Sequence, residues 1–154
     1  ASSEETAIQM NPREMYRFAP AVVGLHCLVP VILVGVGNLG LALLSYRGFE
    51  QEGFEIVAAF DLDPKRKREK SIKQPIYPLE KLPEVIKEKR VRMAIITVPA
   101  ASAQEVVNGL IQNGIAGILN FAPIVLHVPE DAMVNNVNLA TELENLSFFI
   151  QGES

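Results

Sequence analysis

The stretch VILVGVGNLGLALLSY, residues 31–46, constrains the fold more than any other part of the chain. Val31, Ile32, Leu33 and Val34 run without alternation, as in a parallel strand covered on both faces. They lead directly into Gly35-Val36-Gly37-Asn38-Leu39-Gly40. Beyond that turn, Leu39, Ala42, Leu43 and Tyr46 recur at i, i+3, i+4 and i+7, the stripe of an amphipathic helix. Strand, glycine turn and helix form the context in which G-x-G-x-x-G signifies dinucleotide binding. Gly35 permits the tight turn, Gly37 lets the backbone approach a pyrophosphate, and Gly40 lets the helix press on the strand. The N–H groups of the first helical turn favour a diphosphate there.

The rest of the chain repeats this alternation. Gly48 is expected to cap the first helix, and a strand over residues 55–60 stops at Asp61, 21 residues beyond Gly40. A carboxylate there can accept from the ribose hydroxyls of an adenosine and repel a 2′-phosphate. The competing reading is a solvated aspartate feeding the Asp63-Pro64 turn. Lys65–Lys70, KRKREK, is the one dense basic run, either a solvated face or a site for a phosphate or nucleic acid. Ile76-Tyr77 reads as a short strand and 83–89 as a short helix. A strand over 92–98 ends at Pro99-Ala100. Ser102 is expected to cap the following helix, with Val106, Val107, Leu110 and Ile111 on its apolar face and Gly114 at its close. Strands over 116–119 and 132–137 follow. Leu139, Leu143, Leu146 and Ile150 then share one face of a last helix. The order predicts an α/β, Rossmann-like, doubly wound and mostly parallel sheet, with ligand beyond the carboxyl ends of the strands. Gly35, Asp61, Thr97-Val98-Pro99 and Asn120-Phe121 are expected to converge on one crevice.

Bulk properties remove several classes. A net charge of −4 over 154 residues gives no global basic field for nucleic acid. The apolar runs fall short of the roughly 18–20 residues a membrane span needs. Residues 1–18 are acidic and polar, unlike a secretory signal, which favours a cytoplasmic setting. A tail over 1–11 and a short helix opening at Pro12 make residues 1–30 a unit apart from the domain over 31–150. The single cysteine, Cys27, has no internal disulfide partner. With His26 it reads as packing or as redox chemistry, and the scattered His and Cys residues give no metal site. Thr97 and Asn120 hydrogen-bond but carry protons poorly, and His127, in a loop, is the one candidate acid or base. The expectation is a module that binds a dinucleotide without transforming it, and so is not an enzyme.

GVGNLGLALLSYRGF (35–49), AAFDLDP (58–64), MAIITVPAASAQEVVNGLIQNGIAGILNFAP (93–123) and NVNLATELENLSFFI (136–150) resemble the Rex family of bacterial redox-sensing transcriptional repressors. The resemblance implies a homodimer that senses the NADH/NAD+ ratio and leaves operator DNA when NADH binds. Val36, Gly37, Asn38, Leu39 and Gly40 would hold the pyrophosphate, Asp61 the adenosine ribose, and Thr97, Val98, Pro99 and Ala100 the mid-region. It further implies that the last helix, from Leu139 to Ile150, is exchanged between subunits. Tyr46 would bond a residue just before the partner's swapped helix. That position, an aspartate in the family, is Asn138 here. An amide still accepts from a phenol but offers no charge, removing about 1–3 kcal/mol of charge-assisted bonding. Family members carry an N-terminal winged helix, for which some 30 residues before the first strand are too few. The expected DNA function therefore depends on a winged helix supplied outside this chain. The alternatives are a dimeric nucleotide-binding regulator that does not bind DNA, and a coenzyme A-binding domain on the same fold.

Overall fold

A computed structural model describes residues 28–63 and 72–138, together with Leu143, Leu146, Ser147 and Ile150. The expectations for residues 1–27, including Cys27, for Lys65–Lys70 and for Leu139 lie outside the described residues. Six strands form one sheet: β1 (Val29–Val34), β2 (Phe54–Asp61), β3 (Ile76–Pro78), β4 (Met93–Ile96), β5 (Gly117–Asn120) and β6 (Met133–Asn136). Their spatial order is β3-β2-β1-β4-β5-β6 and every pairing is parallel. This is the doubly wound order, whose direction of winding reverses between β1 and β4. The helices are α1 (Asn38–Ser45), α2 (Gly48–Gln51), α3 (Leu82–Lys89) and α4 (Ala100–Gln112), with a 3-10 turn at Leu79–Lys81 before α3.

The unbroken apolar run of β1 is explained by burial on both faces. Ile32 and Val34 point into a core closed by α3 and α4 through Leu82, Val85, Ile86, Val106, Val107 and Leu110. Val31 and Leu33 point into the opposite core, with Leu44 of α1 and Phe49 of α2. The two cores differ in cover. On the second face an apolar groove of about 580 Å³ stays open over β1, β4 and β5. Phe49, Phe54, Met93, Ile95, Leu119 and Met133 line it.

Three local expectations are corrected. First, α1 ends at Ser45, where Tyr46 turns extended, and Gly48 opens α2 instead of capping α1. Second, the core-facing side of α1 is Gly40 and Leu44, whereas Leu39, Ala42 and Tyr46 face outward. The cause is Gly40, whose missing Cβ would overlap the carbonyl of Gly35, so close approach there sets the rotation of the whole helix. Third, the helix after β4 is capped by Pro99 and already formed at Ser102, whose N–H donates to the Pro99 carbonyl. Gly114 closes that helix at φ +97°, as its sequence position predicts.

Candidate functional site

The site is built where the winding reverses. The N–H of Gly35 donates to the carbonyl of Phe60, extending the β1–β2 ladder by one step. The chain then turns through φ +103° at Gly35. A side chain there would be strained by its backbone and would stand 2.9 Å from the Thr97 carbonyl and hydroxyl. Thr97, just past β4, donates its hydroxyl to the Gly35 carbonyl at 2.5 Å and its N–H to the Val34 carbonyl at 2.9 Å. Thr97 thus clamps the glycine turn from the neighbouring strand. Gly37 caps α1 and accepts from the N–H of Leu41 at 2.9 Å. The N–H groups of Asn38, Leu39 and Gly40 are the helix's opening donors, which no intrahelical carbonyl can satisfy.

Beside this turn lies a crevice of about 400 Å³. Its walls are Val34, Gly35, Val36 and Gly37 from the first turn, Asp61, Leu62 and Asp63 after β2, Leu79 after β3, and Thr97, Val98 and Pro99 after β4. Asp61 is 7% exposed and its Oδ2 has no hydrogen-bond partner among the described residues. A buried carboxylate oxygen left unpaired costs folding free energy, and a ligand hydroxyl reaching it would remove that cost. A buried acceptor that only donors satisfy suits a ribose hydroxyl.

Three of the four expected strand ends line the crevice, and the fourth does not. Asn120 is 1% exposed and folded back into its own loop. Its amide nitrogen donates to the carbonyls of Ala122 and Ile124 and to Oδ1 of Asn136, and its own Oδ1 accepts from the Ala122 N–H. The amide that sequence position assigned to ligand holds the β5–β6 connection instead. Phe121 and Ala100 also lie off the crevice walls; Phe121 packs against the second core. Asn38, Leu39 and Gly40 sit in the first turn of α1, next to the wall residues. The backbone of His127 is clasped by Gln104, which accepts from its N–H at 2.8 Å and donates to its carbonyl at 2.9 Å. Leu62, Asp63 and Leu79 are additional wall residues; the rule that ligands sit beyond strand ends, applied to β3, points to Leu79. Among the described residues no group of three or more metal-ligating side chains is assembled.

Glycine turn, buried strand-end acid and reversal of winding together define a dinucleotide-binding domain of the Rossmann type. Residues 28–124 match the family model described as CoA binding domain. The redox-sensing transcriptional repressor Rex of Pelotomaculum thermopropionicum is 43% identical over 145 residues, which cover 94% of this chain and 68% of that protein. The chain belongs to the Rex family. The solved structure of RSP, a Rex-family repressor, in complex with beta-NADH is similar at a TM-score of 0.76 and 31% identity, over 93% of this chain and 69% of that one. RSP in complex with beta-NAD+ and operator DNA is similar at 0.75, over 93% and 66%. The chain spans about two thirds of the length of these relatives.

Proposed function

We propose that residues 31–150 are the NAD(H)-sensing domain of a Rex-type repressor that responds to the NADH/NAD+ ratio. The observation that carries this reading is the unpartnered, buried Oδ2 of Asp61 on the crevice wall. The residues fit the nucleotide: the α1 N-terminus from Val36 to Gly40 holds the pyrophosphate, Asp61 the adenosine ribose, and Thr97, Val98 and Pro99 the mid-region. The bound nucleotide supplies a nicotinamide ring that is neutral when reduced and cationic when oxidised. Nothing in the reading requires turnover, and the crevice walls carry no His, Cys or Lys among the described residues. In this reading, which the likeness to Rex repressors supports, the domain acts as a regulator rather than an enzyme, in the cytoplasm. Among the described residues no helix is long and apolar enough to cross a membrane.

The partner is a second copy of the chain. Two observations support it. Leu143, Leu146 and Ile150, on the helical turns after β6, are 67%, 58% and 66% exposed, an apolar stripe without cover. The open groove on the sheet offers a complementary apolar surface. Exchange of the last helix, starting at Leu139, brings these together and places Asn138 of one copy against Tyr46 of the other. Operator binding belongs, in this reading, to a winged-helix unit outside the described residues.

A coenzyme A site is the second reading, prompted by the description of the matching family model. Asp61 separates the two. Coenzyme A carries a 3′-phosphate and NADPH a 2′-phosphate on the same ribose, and a buried carboxylate opposes either charge. Calorimetric titration is expected to show NADH binding about 100-fold tighter than NADPH or coenzyme A. Asp61→Asn is expected to weaken NADH about tenfold, a loss of about 1.4 kcal/mol, and to narrow the gap to NADPH. Equal affinity of the unaltered chain for NADH and NADPH overturns the assignment.

A further inference from the structure

We infer that Gly48 and Phe49 are positioning residues for Tyr46, a seat that fixes where its phenol points and thereby sets how the domain tells NADH from NAD+. The inference rests on the proposed pairing of Tyr46 with Asn138 of a second copy.

The seat is built by the early stop of α1. Tyr46 leaves the helix at φ −76° and ψ 122°, which carries its side chain back over the start of α2. A Cβ built on Gly48 would overlap the Cζ, the hydroxyl and Cε2 of the Tyr46 ring. The backbone of Gly48 does not require glycine, because the positive-φ glycines of the described residues are Gly35, Gly53 and Gly114. Space for the ring is what the position demands. Phe49 supplies the side wall, its ring perpendicular to that of Tyr46 at 89° with centroids 4.9 Å apart. Held below and on one flank, with its hydroxyl end over Gly48, Tyr46 remains 60% exposed.

The location gives the seat its consequence. The N-terminus of α1 forms the crevice turn, and Tyr46 caps the C-terminus of the same eight-residue helix. Phe49 also lines the apolar groove on the open sheet face. One ring pair therefore joins the helix that binds the diphosphate to the surface on which the second copy packs. Displacing Tyr46 from its seat uncouples the two while leaving crevice residues untouched.

A mutant cycle on the full chain tests this. The added methyl of Gly48→Ala meets the far end of a mobile, exposed side chain, so the ring swings out. NADH and NAD+ dissociation constants are measured for the unaltered chain, Gly48→Ala, Tyr46→Phe and the double variant. Each single change is expected to alter the NADH to NAD+ affinity ratio at least about threefold, and the double variant to match Tyr46→Phe alone. A ratio that Tyr46→Phe shifts but Gly48→Ala leaves unchanged overturns the seat and spares the Tyr46 pairing, as do additive effects. No shift with Tyr46→Phe overturns the pairing and the seat with it. If Gly48→Ala does not fold, Phe49→Leu runs the same cycle with the same outcomes.

Discussion

Asn120 shows what a strand-end side chain does when its ligand is its own loop. Its amide N–H groups are spent on the carbonyls of Ala122 and Ile124 and on Asn136, its Oδ1 accepts from the Ala122 N–H, and at 1% exposure the side chain is turned into its own loop. Asn120→Ala leaves buried backbone groups of the 120–124 turn unpaired, which costs about 2–4 kcal/mol. The urea midpoint is expected to fall accordingly, while the NADH affinity of the folded variant stays within about threefold of the original. Asp61, at the end of β2, has the opposite outcome, a crevice-wall residue with one buried oxygen left without a hydrogen-bond partner among the described residues. Sequence spacing located both residues equally well. It could not assign their roles, because side-chain direction at a strand end depends on where the following loop sends its carbonyls. Tyr46 was likewise visible in the sequence as one member of an apolar stripe. Its seat depends on Gly48, whose reason is volume rather than backbone, and nothing in a G-F dipeptide announces that.

The strands were legible to within a residue or two, since runs such as Val31–Val34 and Met93–Ile96 admit few other conformations. The rotation of α1 was not. Leu39, Ala42, Leu43 and Tyr46 make a valid helical stripe, yet the contact of Gly40 with the Gly35 carbonyl overrides it and turns Leu39, Ala42 and Tyr46 outward, leaving Leu43 half-buried. A backbone contact of this kind is worth more than the burial of Ala42 and the edge of Leu39. The connection from β5 to β6 offers an element-scale prediction. Gln104 of α4 bonds both backbone groups of His127 and the side chain of Asn108, as a neighbouring strand would. Gln104→Ala removes this clasp at an exposed site, for about 1–2 kcal/mol of local opening free energy. Hydrogen exchange at the His127 amide is expected to speed up about tenfold, with exchange in β1 unchanged.

For the whole molecule, the unequal cover of the two sheet faces organises everything beyond the nucleotide crevice. α3 and α4 close one face, whereas α1 and α2 reach only part of the other. Among the described residues, Leu143, Leu146 and Ile150 and the outward side chains of α1 are further exposed apolar surface. Under the proposed pairing, placing charge at both Leu143 and Ile150 with Leu143→Glu and Ile150→Glu converts the sedimenting species from dimer to monomer. Under the same proposed pairing the open sheet face has a second consequence, for thermal melting. A domain whose core is finished by another copy of itself unfolds with a midpoint set by mass action, so dilution lowers it. Chain abundance then becomes a hidden input: a scarce protein is less cooperative and easier to degrade, and a plentiful one resists heat and proteolysis before any nucleotide arrives.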